Sequence, residues 1–123
     1  MPLNKRQQVQ IERRLIDALT RACETAKAEM VGFAWLTHVV DYHCFPSSLR
    51  VVWVFDTQGD QDRALANDLG QRMRELTAQA FGEADIHLSP VAATVSFDNE
   101  AQCQRANAGN WPQRLARLLM TRH

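Results

Sequence analysis

Nothing in the 123 residues approaches the ~20 consecutive apolar residues that a membrane-spanning helix requires. Nor does the N-terminus carry the short apolar core of a secretory signal, since Asn4 to Glu29 is charged throughout. Cysteine is scarce and unpaired in pattern: Cys23, Cys44 and Cys103 are odd in number and form no CxxC, which argues against a secreted disulfide framework. A reducing cytoplasm is the expected compartment. Four prolines and five glycines are too few for a linker or a low-complexity segment. There is no Walker-type glycine loop, no GxGxxG and no GxSxG elbow, so no cofactor and no serine nucleophile are expected. His38, His43, Cys44, His87, Cys103 and His123 lack the paired spacing of a zinc site, and no metal is expected either.

What is present is ordinary globular composition, 46% hydrophobic and 23% charged, in a length that suits one domain over residues 1–123. A chain of this size buries roughly two-thirds of its unfolded surface, enough for a core without staples. The net charge of zero hides a pattern. Residues 1–30 sum to +2, residues 31–98 to −5, and residues 99–123 to +3. Basic ends around an acidic middle either attract an anionic partner or pack beside that middle.

Hydrophobic periodicity predicts the elements. Val9, Leu15, Ile16, Leu19, Ala22, Cys23, Ala26 and Met30 recur at helical spacing, with Asn4 as N-cap and Gly32 as the left-handed exit. Residues 32–42 read as a strand. Leu49 to Asp56 is a near-continuous apolar run, expected to be central and covered on both faces. The two should form an antiparallel hairpin. A helix from Asp60 to Phe81 presents Leu65, Leu69, Met73, Leu76 and Ala80, with Gly82 as its C-cap. Ile86 and Leu88 suggest a short edge strand. Val91, Ala93, Val95 and Phe97 alternate as a half-buried strand. A helix follows to Ala108, then a Gly109-Asn110 turn and a last helix opened by Pro112 with Leu115, Leu118 and Leu119. The order α-β-β-α-β-α-α, around three or four strands, defines an α+β two-layer domain. A central strand buried on both faces needs a second cover, either the C-terminal helices or a second subunit, so a homodimer is one expectation.

Two constellations carry candidate chemistry. The last two helices have helix-turn-helix proportions, in which Arg114, Arg117 and Arg122 would meet phosphates and Trp111 would anchor a partner. Against that, Arg105 stands where a small residue is needed for close helix approach. Trp111 could equally staple onto Leu115. The second constellation is Asp41, Asp56 and Asp98, each at the end of an apolar run. If the strand at 91–97 runs parallel to Leu49–Asp56, Asp56 and Asp98 reach one sheet edge and could share a divalent ion; the simpler reading makes them helix caps and turns. The cysteines are expected to be buried or inert thiols, and His38 to be satisfied within the sheet.

The stretches Gly32-Phe33-Ala34-Trp35-Leu36-Thr37-His38, Phe45 to Leu49, Val54 to Thr57, Phe97-Asp98-Asn99-Glu100 and Gly109-Asn110-Trp111 resemble a family of small bacterial proteins labelled Fis family transcriptional regulators. The resemblance covers most of the chain and implies a regulatory role on DNA; no functional residue carries over by motif. The element order also resembles KH-like RNA-binding domains, without their GxxG loop. The expectation is a small non-enzymatic binding or regulatory protein whose partner is protein or nucleic acid, with no membrane. The alternative is a metal-dependent enzyme using Asp56 and Asp98.

Overall fold

A computed structural model describes residues 3–120. Helix α1 (Lys5–Glu29) opens on a capping box: the Asn4 side chain accepts from the Gln7 amide, and the Gln7 side chain accepts from the Asn4 amide. Two orphan donors of the first turn are thereby satisfied. The chain turns at Gly32, whose φ of 81° suits glycine, and where a Cβ would lie 2.4 Å from the Asp60 side chain. Strand β1 (Phe33–Val39) and strand β2 (Arg50–Phe55) follow, then helices α2 (Gln58–Ala66) and α3 (Leu69–Glu83). Strand β3 (Val95–Asn99) and helices α4 (Glu100–Asn107) and α5 (Trp111–Met120) complete the order. The architecture is α+β with a mixed three-stranded sheet, β1-β2-β3. β1 pairs antiparallel and β3 parallel to β2. Among the described residues no helix is long and apolar enough to cross a membrane.

Alternation sorts the strands into two faces. Val51, Trp53 and Phe55 join Phe33, Leu36, Val95 and Phe97 in the main core with α1 and α3. A bulge between Phe33 and Trp35 lets Phe33 and Leu36, three residues apart, both reach that face. Phe33 packs at 5.3 Å from Trp53 and edge-on to Phe55, and the Trp53 indole donates to the Thr77 hydroxyl at 3.1 Å. A polar atom inside the core thus has its partner. On the opposite face Val52 and Val54 are also buried. β2 is therefore covered on both sides within one chain, and its double burial does not by itself call for a second copy.

The structure departs from the expected elements in five places. The helix foreseen from Asp60 to Phe81 is two helices, broken at Asn67 and Asp68, where Asp68 takes φ 62°. Asp and Asn tolerate the left-handed region and compete with helical hydrogen bonds. The break shifts the phase, so Ala64 is buried and Leu65 is exposed. α3 also runs through Gly82, and the chain leaves the helix at Asp85, φ 58°. Ile86 is buried without being in a strand; its amide donates to the Phe81 carbonyl. Val91–Ala93 is a 3-10 turn, so only the second half of the alternating run pairs as β3. Finally, Val9 and Ile16 are exposed although they share the helical pattern of α1.

Because Phe55 is fully buried between Phe33 and the helices, Phe55→Ala should lower stability by about 3–5 kcal/mol. Urea titration followed by circular dichroism measures this; a loss below about 1 kcal/mol would mean that the β2 side chains do not hold the core as described.

Candidate functional site at the carboxyl edge of the sheet

Parallel strands β2 and β3 end side by side, and each leads directly into a helix. Thr57 caps α2 by accepting from the Asp60 amide, and Asn99 caps α4 by accepting from the Gln102 amide. Each first turn carries an acid, Asp60 and Glu100, which favours the helix dipole. The Asn99 side chain is buried and donates to Gln58 and Gln61 at 3.1 and 2.7 Å, tying the two helix starts together. The parallel pairing that the Asp56/Asp98 reading required is present, and both residues lie at this edge.

Asp98 is nevertheless engaged. The Arg114 guanidinium donates to it through Nε at 2.6 Å and Nη2 at 2.9 Å, and through Nη1 to the buried Asn107 side chain at 2.9 Å. One Asp98 oxygen also accepts the Asn99 amide. Both charged side chains are 19% exposed. This is a bidentate fork, the strongest ion-pair geometry available. The hydrogen bond with Asp98 raises the Arg114 pKa against the opposing effect of burial. Nearby Cys103 is buried, and burial pushes its thiol up.

Around this pair the aromatics close the layer. Trp111 meets Trp35 edge-to-face at 4.8 Å. Glu100 accepts from both indoles, Trp111 at 2.5 Å and Trp35 at 3.4 Å. Trp35 therefore sits on the second face, half-buried, rather than in the main core. An open cleft of about 450 Å³ beside them is lined by Asp56, Glu100, Gln104 and Trp111. Asp56 is exposed, and its backbone joins the turn before β1 to α4: its amide donates to Gly32 and its carbonyl accepts from Ala101. Among the described residues no three His, Cys, Asp or Glu side chains cluster to hold a metal.

Asp56, Asp98, Trp111 and Arg114 thus gather at one edge, but in altered roles, whereas Asp41 follows β1 at the opposite end of the sheet. Arg114 faces Asp98 and Asn107. Arg117 is exposed on α5. Arg122 lies outside the described residues. Trp111 begins α5, one residue before Pro112. Asp41 caps a 3-10 turn by accepting from the His43 amide. Of the cysteines only Cys103 is buried; Cys23 is half-buried and Cys44 exposed. The sequence did contain one signal for Arg114: it lies four residues before Leu118, on the apolar side of α5.

One cluster was not foreseen. His38 is satisfied by α1 rather than within the sheet: its Nε2 lies 2.5 Å from Glu12, which also accepts from the Tyr42 hydroxyl at 3.0 Å. The three residues come from separate segments, so no local spacing announces them. Burial first, then the charge of Glu12 and the hydrogen bond to it, raise the Tyr42 phenol above its ordinary 10.0.

Comparison of the chain with protein-family models, with curated proteins and with solved structures finds no match in any of the three.

Two outcomes follow from this geometry. In a double-mutant cycle of Asp98→Asn and Arg114→Met, the pair should show a coupling energy of about 1–3 kcal/mol, because either single change leaves a mostly buried partner unmatched. Additive losses would mean that the fork contributes nothing. Raising pH offers the second test. Above pH 10 an unfolded tyrosine loses its proton while folded Tyr42 keeps it. The unfolded state then binds fewer protons, and stability falls as pH rises toward the folded pKa. Tyr42 is the single tyrosine, so ultraviolet titration reports it alone, and Tyr42→Phe should flatten the loss of stability above pH 10.

Proposed function

We propose that the protein is a non-enzymatic binding module that engages an acidic protein surface through α5. The observation that carries this reading is the incomplete covering of α5. Its leucines, Leu115, Leu118 and Leu119, are only half-buried, and Met120 is 80% exposed. Residues 99–123 sum to +3, so this apolar stripe lies in a basic stretch of the chain. An amphipathic helix of this kind suits a groove bordered by carboxylates. At 1.5 Å per residue α5 is about 15 Å long, so it would anchor an interface of standard size rather than form all of it.

A nucleic-acid partner is the second reading, favoured by the basic charge of residues 99–123 and by the resemblance to Fis-labelled regulators. It is weakened because Arg114 is held by Asp98, and an arginine withheld from phosphate adds nothing to the electrostatic affinity. The metal-dependent enzyme reading would require a cation to displace Arg114 from Asp98.

Fluorescence anisotropy separates these readings, using a labelled amphipathic Leu/Glu helical peptide, duplex DNA and single-stranded RNA at two salt concentrations. If α5 serves a protein partner, the peptide binds, and Met120→Asp and Arg117→Glu each weaken it about tenfold or more. DNA or RNA binding that falls with salt and with Arg117→Ala would replace the protein partner by a nucleic acid. No binding by any probe would end the α5 reading.

A further inference from the structure

Helix α5 is held differently from the others. Each of α1 to α4 places at least one side chain among the buried residues, and α5, within the described residues, places none. Its first turn grips the sheet. Trp111 meets Trp35 on β1, and Arg114 meets Asp98 on β3. Trp35 and Asp98 are both register partners of Val54, so α5 clasps one cross-strand row from either side of β2. The last two helices are also capped apart. α4 closes on its own carbonyls, Ala108 donating to Gln104 and Gly109 to Cys103, with φ of 51° and 79°. α5 starts afresh at Asn110, whose side chain accepts from the Gln113 amide. A rotation between Gly109 and Asn110 therefore breaks neither cap.

We propose that α5 is a displaceable strap, locked by the Asp98–Arg114 fork, and that its closed position inhibits its own binding face. Trp111, Arg114, Leu115, Leu118 and Leu119 are half-buried and stand at helical spacing on one side of α5. The face that would meet a partner is thus the face turned to the rest of the chain. There it finds Trp35 and the carboxylates of Asp98 and Glu100, the chemistry of the acidic groove that α5 suits. This regulation rests on the α5 reading: partner and sheet compete for one face, and apparent affinity falls by the fraction of molecules in which α5 is released. The fork sets that fraction. Both its side chains are 19% exposed when the strap is closed, and both regain water when it opens. Removing one charge therefore penalises the closed state alone.

Native-state hydrogen exchange on the full chain, over a series of low urea concentrations, tests the strap. Off the sheet, the ten residues of α5 fall short of the ~12–15 that hold a helix in water, so opening also melts it and frees its amides. Amides of Leu115 to Met120 should exchange through one shared opening, about 100-fold or more faster than those of α1 and α3, with weak urea dependence. Leu76→Ala, in the main core, should speed α1 and α3 about tenfold or more and leave α5 unchanged. Asp98→Asn keeps an acceptor for the Asn99 amide but should speed α5 exchange about tenfold. It should also tighten binding of the labelled Leu/Glu peptide about tenfold. Exchange of α5 at the rate of α1 and α3 overturns the proposal, and the wild-type series decides this even where a variant fails to fold. So does α5 exchange indifferent to Asp98→Asn, or peptide binding that this variant fails to tighten. A peptide bound by neither protein ends the α5 reading instead, and the exchange rates then decide the strap by themselves.

Discussion

Everything in this fold is arranged around one constraint: β2 has no polar face. Val51, Val52, Trp53, Val54 and Phe55 are all buried, and a strand rises only about 3.3 Å per residue, so these side chains alternate to both sides without relief. Each side must be roofed. α1 and α3 roof one with a conventional apolar core. The C-terminal helices roof the other, and they do so with a thinner, more polar layer. Trp35 and Trp111 provide the apolar area there, and Glu100 satisfies their indole donors. The Asp98–Arg114 fork pins α5 to the last strand. Without that second roof, Val52 and Val54 would face water, at about 1.5–3 kcal/mol for each side chain fully exposed.

The same fork reshapes the functional question. A basic terminal helix and a carboxylate at a strand end look, along the chain, like two separate sites. In space Arg114 and Asp98 neutralise each other, so the +3 of the last segment is partly offset by the −5 of the middle. What α5 leaves incompletely covered is its apolar flank. β1, which α5 meets through Trp35 and Trp111, is an edge strand whose other face lies below α1.

Much of the fold was legible in the residues. α1, its Asn4 cap and the Gly32 exit depend on local spacing and local backbone preference, which a chain carries wherever it folds. The β1–β2 hairpin and the central place of β2 follow from apolar runs too continuous for any surface strand. The failures share a cause. The break at Asn67 and Asp68 interrupts a leucine stripe that remains periodic across it, so pattern alone joins α2 to α3. Val91 and Ala93 alternate with Val95 and Phe97, yet only the second pair finds a neighbouring strand. Val9 and Ile16 fit the helical pattern, yet the packing leaves each of them about half exposed.

The sequence by itself determined the element types, the α+β class and the identity of the strand that must be central, because periodicity and capping act over a few residues. Only the tertiary structure decided which charges meet. Asp98 finds Arg114 sixteen residues away, Glu12 finds His38 twenty-six away, and Glu100 joins Trp35 to Trp111. Such pairs are made by where the elements dock rather than by any local spacing. Whether a charged residue is a site or a fastener depends on what docking leaves opposite it.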